Sequence, residues 1–196
     1  MPYNPDHHQR RSIRLQGYDY TQVGAYFVTV CTQRRMCLFG GVVDGKMRVN
    51  DPGRMVERWW LELAEKFPSV KVDAFVVMPN HFHGILMSLD QHKDVGADLR
   101  VCPGSSGDQG AHTEPQGAHA GAPLPRIVQW FKTMTTNEYI RGVKELGWMP
   151  FPGRLWQRNY YEHVIRDDRE MNAIRQYIVD NPAKWAEDRE NPRNLQ

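Results

Sequence analysis

The chain has 196 residues, 40% hydrophobic and 24% charged, with a formal net charge of +2. That length suits a single domain able to bury a core, and no run approaches the roughly 20 apolar residues of a membrane-spanning helix. The polar opening MPYNPDHHQRRSIRLQ lacks the apolar region of a secretory signal, and Cys31, Cys37 and Cys102 form neither a disulfide framework nor a metal-ligand spacing, so a reducing cytoplasm is expected.

In chain order, residues 1–23 read as a basic N-terminal arm in which Arg10, Arg11 and Arg14 precede Tyr18 and Tyr20. GAYFVTVCTQ (24–33) is rich in β-branched and aromatic residues and predicts a strand, closed by Arg34 and Arg35. Residues 42–49 surround Asp44-Gly45 and predict a hairpin. Asp51-Pro52 then supplies a helix cap and first-turn proline, and Met55, Val56, Trp59, Trp60, Leu63 and Phe67 recur at helical spacing over 52–67. VKVDAFVVM (70–78) and HFHGILMS (81–88) predict two strands joined tightly at Pro79-Asn80.

Residues 90–124 hold six of the 16 glycines, three prolines and an imperfect Gln-Gly-Ala-His duplication. Such a segment cannot bury enough apolar surface to offset its ordering entropy, so it predicts a disordered insertion. Five acids there against Lys93 and Arg100 make it −3, which leaves +5 on the remainder. The overall balance therefore no longer speaks against nucleic acid. A second helix is predicted over 125–146 and a short strand over 153–157. Asp167 with Glu170 forms a capping box that opens a third helix through Met171, Ile174 and Ile178 and stops at Pro182. The order predicts an α+β fold: a ferredoxin-like or RRM-like antiparallel sheet with helices on one face, followed by a C-terminal helix. Residues 24–185 form the single domain, and 186–196 read as a tail.

The residues with chemistry to offer are few. In a strand, His81 and His83 share one face while Phe82 points to the other, so two imidazoles can ligate one divalent cation. Two half-exposed structural histidines satisfy the same pattern. On the third helix Tyr177 and Asn181 lie four apart on one face, offering a hydroxyl and an amide oxygen. A core-edge tyrosine and a C-cap asparagine before proline would look alike.

Three stretches together resemble a known pattern. RSIRLQGYDYTQVGAYFVTVCTQRR (11–35), VVMPNHFHGILM (76–87) and WQRNYYEHVIRDDREMNAIRQYIVDNPAKW (156–185) resemble the REP-associated tyrosine transposases, within the wider group of single-tyrosine HUH transposases. The likeness runs from Arg10 to Trp185, interrupted by the 90–124 segment. It implies that His81 and His83 are the HUH histidines, that Tyr177 is the nucleophile, and that Asn181 completes a site for Mg²⁺ or Mn²⁺. It further implies a single-stranded DNA endonuclease and strand transferase working through a 5′-phosphotyrosine on hairpins of REP-type palindromes. Tyr160 and Tyr161 are rival nucleophiles outside the matching motif, and His163 is assigned packing or phosphate contact.

Single-stranded DNA needs cations and flat rings. Arg10, Arg11, Arg14, Arg34, Arg35, Lys132 and Arg158 are the candidate DNA contacts, with Arg154 nearby. The expected location is the cytoplasm, at the nucleoid, with no membrane partner; monomer and homodimer both stay open. A replication-initiator-like nickase, a water-using phosphoesterase and a non-catalytic RRM-like nucleic-acid module are the competing readings.

Overall fold

The computed structural model describes residues 24–89 and 122–194. The 1–23 arm with Arg10, Arg11 and Arg14, and the predicted insertion as far as residue 121, lie outside the described residues. Four strands form one antiparallel sheet: β1 (Gly24–Cys31), β4 (Val70–Val77), β5 (His81–Ser88) and β6 (Tyr161–Ile165), in the order β4-β5-β1-β6. Between β1 and β4 come the hairpin β2 (Gly40–Val43) and β3 (Lys46–Val49) and the helix α1 (Asp51–Lys66). Helix α2 (Leu124–Glu145) links β5 to β6, and α3 (Asp168–Asp180) follows β6. Leaving the hairpin aside, the βαββαβ order and the central position of β1 are those of a ferredoxin-like sheet.

Local rules explain most of these elements. Asp44 and Gly45 both take positive φ, 50° and 68°, the backbone of the tight turn that matches strand twist. The α1 cap is Asn50, one residue ahead of the expected Asp51; its side chain accepts from the Gly53 amide at 2.9 Å, so Asp51 and Pro52 fall in the first turn. Asp167 caps α3 as expected, accepting from the Glu170 amide at 2.8 Å. The Glu170 carboxylate reaches back to the Arg166 amide at 2.8 Å, one residue before the cap. Leu124, expected at the end of the insertion, begins α2 and is buried.

Two points go beyond the sequence reading. The fourth strand is 161–165, not 153–157. Of the latter segment only Trp156 bridges to β1's extension, opposite Thr32. In addition, α1 and α2 share one face as expected, while the C-terminal helix α3, whose face the sequence left open, covers the other. Tyr26, Val28, Val30, Phe82 and Leu86 face α1 and α2 in the main core. Phe27, Ile85 and Ile165 meet Met171 and Ile178 of α3 on the opposite face. On the main face Trp60 packs at a tilt against Phe82 with ring centroids 4.5 Å apart, and Gly84 permits this closeness, because a Cβ there would run into the indole. Helix α3 is further tied to the bulge of β4, where the Arg175 guanidinium donates twice to Asp73, both at 2.8 Å. No helix among the described residues is long and apolar enough to cross a membrane.

Candidate active site

Strand alternation does to the His-Phe-His run what its period requires. Phe82 is wholly buried against Trp60 and Phe131, and His81 and His83 turn to the α3 face with ring centroids 4.6 Å apart. Both imidazoles are buried, at 0% and 4% exposure. Each is held by its Nδ1. For His81 the partner is Asn80 Oδ1 at 2.9 Å, and for His83 it is Thr29 Oγ1 at 2.8 Å, from the register-matched position of β1.

The Asn80 amide group is oriented by its own nitrogen, which donates to the Arg35 carbonyl at 3.0 Å and the Glu190 carbonyl at 2.7 Å. Its oxygen must therefore face His81. An amide oxygen only accepts, so the network assigns the proton to His81 Nδ1 and leaves Nε2 a bare lone pair. The tautomer of His83 that donates to the Thr29 hydroxyl exposes its Nε2 in the same way.

Helix α3 brings the remaining groups. The Tyr177 hydroxyl stands 3.5 Å from His83 Nε2, at the outer limit of a hydrogen bond, and its ring packs edge-on to Phe27 at 5.9 Å. Asn181 follows the last turn and is buried, and its side-chain amide lies near enough to His81 and Tyr177 to shift the protonation of both. Within this site, two buried polar atoms have no hydrogen-bond partner among the described residues: His81 Nε2 and Asn181 Oδ1. Orphaned buried acceptors are costly, and here they sit beside a third lone pair. Among the described residues no group of three or more His, Cys, Asp or Glu side chains is placed to hold an ion. The donor set that does converge is two imidazoles and an amide oxygen, and it fits a divalent cation. Neutral nitrogen-containing donors suit Mn²⁺ at least as well as Mg²⁺.

Burial pushes His81 down to about 4, against the nearby carboxylates of Asp188 and Glu190, and pushes His83 well below the ordinary histidine range, with His81 adding to the effect. Both rings are thus neutral at pH 7, the form a metal ligand requires. Burial, then Asp188, raises Tyr177 above an ordinary phenol, while Asn181 opposes them.

The sequence reading missed the closing wall of this site. Residues after Trp185, taken as a tail, fold back over it. Asp188 Oδ2 lies 3.7 Å from His81 Nε2, and Glu190 accepts from Arg35 Nε at 2.7 Å and from the Cys31 thiol at 3.6 Å. Arg35, expected to contact DNA, pins this segment through Glu190 and keeps part of its side chain exposed. Arg34 remains exposed. Lys132 Nζ donates to the carbonyls of Gln157 and Arg158 at 2.6 and 3.1 Å, and the Arg158 side chain is exposed. His163 pairs with Glu170 at 2.6 Å, joining β6 to α3. Tyr161 lies on the site's face opposite Thr29, whereas Tyr160 packs against the main core.

Comparison with known proteins points to a transposase-type protein. No family model matches the chain. An uncharacterised Haemophilus influenzae protein is 36% identical over 189 residues, covering 95% of each chain. A second protein of that organism, named provisionally as a REP-associated tyrosine transposase, is 27% identical over 85% of this chain and 74% of its own. Among solved structures, that of a REP-associated tyrosine transposase bound to a REP hairpin shares the fold, with TM-score 0.54 and 18% identity over 88% of this chain and 74% of that one. The chain is thus similar in sequence to a REP-associated tyrosine transposase and shares the fold of another.

Proposed function

We propose that this protein is a metal-dependent single-stranded DNA endonuclease and strand transferase that engages REP-type hairpins and cleaves through a 5′-phosphotyrosine on Tyr177. The observation that carries the reading is the convergence of the Tyr177 hydroxyl with His83 Nε2, 3.5 Å away, beside the unpartnered His81 Nε2 and Asn181 Oδ1. His81, His83 and Asn181 would hold Mg²⁺ or Mn²⁺. When bound, such a cation supplies positive charge to a phosphate oxygen and to a forming phenolate.

The chain's own residues perform the rest. Phe27 and the α3 packing hold the Tyr177 ring so that its oxygen reaches the imidazole edge. That oxygen attacks phosphorus, forming the Tyr177–phosphorus bond and breaking the bond to the 3′ oxygen. The 3′ oxygen leaves as a hydroxyl, which balances the phenolic proton lost. A second 3′-hydroxyl can reverse the step and rejoin strands, since the phosphodiester energy is kept in the tyrosyl bond. The relative whose structure holds a REP hairpin supports this substrate class.

The test is a labelled hairpin with a short single-stranded foot, incubated with Mn²⁺ and resolved under denaturing conditions. Wild type should form a denaturation-resistant adduct, and Tyr177→Phe should form none while still binding the hairpin. An adduct from the Phe variant would transfer the role to another residue, with Tyr161→Phe the next variant to try.

A further inference from the structure

A cleft of about 600 Å³ opens between α2 and residues 153–160. It lies at the same end of the sheet as His81 but on the α2 face, away from Tyr177. The path between the two is short. Leu155 and Gln157 exchange backbone hydrogen bonds with Gln33 and Cys31, at 2.8 and 2.9 Å, and Cys31 is the register partner of His81. Two strand spacings, on the order of 10 Å, therefore separate the cleft wall from the strand bearing His81.

The chemistry of the cleft is selective. Lys132, Arg154 and Arg158 line it, and no carboxylate is among its lining residues. Among the described residues neither Arg154 nor Arg158 has an acidic partner. Lys132 commits two of its three donors to carbonyl oxygens, which fixes the ammonium at the rim with one donor left over. Burial first, and then Arg154, lower it to about 8. Three cations without an acid call for an anion. The amides of Gln129 and Asn137 and the ring of Tyr160 are also part of the lining, and they suit a flat ring with hydrogen-bonding edges. The volume is in the range of small-ligand pockets and too small to admit a duplex.

We infer that this cleft seats one unpaired nucleotide of the DNA strand, its phosphate on Arg154, Arg158 and Lys132 and its base against Tyr160. The inference rests on the proposed single-stranded DNA activity and adds a subsite to it. A strand passing over the end of the sheet from Tyr177 would be held at a second point, which sets the register of the phosphate to be cut.

The experiment uses the full chain and a hairpin with a single-stranded foot, with 2-aminopurine placed at successive foot positions. Both arginines are exposed, so Arg154→Ala/Arg158→Ala should melt as wild type does. The double variant should bind about tenfold more weakly, with a log Kd against log salt slope shallower by roughly 0.7 for each phosphate no longer neutralised. In wild type one foot position should be quenched, and the double variant should lose that quench. Unchanged affinity and slope, or no position-specific quench, would overturn the cleft assignment while leaving the Tyr177 chemistry standing. A wild-type protein that binds neither the hairpin nor a single strand would instead overturn the proposed function and the cleft with it.

Discussion

Thr29→Val tests whether the site is held from behind by β1. Thr29 Oγ1 is the partner of His83 Nδ1, at 2.8 Å, and both side chains are nearly inaccessible. Valine matches threonine in shape, so the substitution opens no cavity and adds no volume; it removes one hydrogen bond. A buried donor stripped of its acceptor costs ~1–3 kcal/mol, so a loss of about 2 kcal/mol is expected. For a domain of this size that lowers Tm by roughly 4–8 °C. Loss of the outer partner of a ligating imidazole also weakens metal binding by roughly 10- to 100-fold. Urea unfolding without metal measures the first quantity, and Mn²⁺ titration by calorimetry the second. Thr29→Ser keeps the hydroxyl and should recover the Mn²⁺ affinity. If the Val variant bound Mn²⁺ within twofold of wild type, the argument that Thr29 orients His83 as a ligand would fail.

Two further outcomes follow from packing and charge. Gly84→Ala places a methyl against Trp60, an overpacking expected to cost about 1–3 kcal/mol in urea denaturation; wild-type stability would mean that the α1–sheet spacing is looser than described. The Arg175 guanidinium beside Asp73 holds its carboxyl down at about 2, against an ordinary 3.8. Because the folded value is the lower one, the pair stabilises above about pH 4 and its contribution is lost as pH falls through the folded value. Asp73→Asn should therefore be less stable than wild type at pH 7, with the difference shrinking as urea midpoints are taken from pH 4 toward pH 2.5. A gap constant across that range would remove the ion pair as the anchor of α3.

Much of this molecule is legible locally. The Asp44-Gly45 turn, the Asp167 cap, the helical spacing of Met55, Val56, Trp60 and Leu63, and the alternation of His81, Phe82 and His83 each depend on neighbours within a few residues. The fourth strand was not legible. Tyr161–Ile165 is five residues long, carries Glu162 and His163, and takes its strand conformation from pairing with β1, more than 130 residues earlier in the chain. The return of Asp188 and Glu190 over the histidines left no signal either. That segment is polar and short, and it is held by Arg35 across a separation of 155 residues.

By itself the sequence determined the element types, the shared face of the two histidines and the resemblance that points to Tyr177, because backbone period and motif spacing are local properties of the chain. The tertiary structure decided that α3 covers the face opposite α1 and α2, which brings Tyr177 to His83. It also left His81 Nε2 and Asn181 Oδ1 buried without partners. Those outcomes depend on which faces of the sheet remain apolar once strands distant in sequence have paired, and no local pattern contains that information.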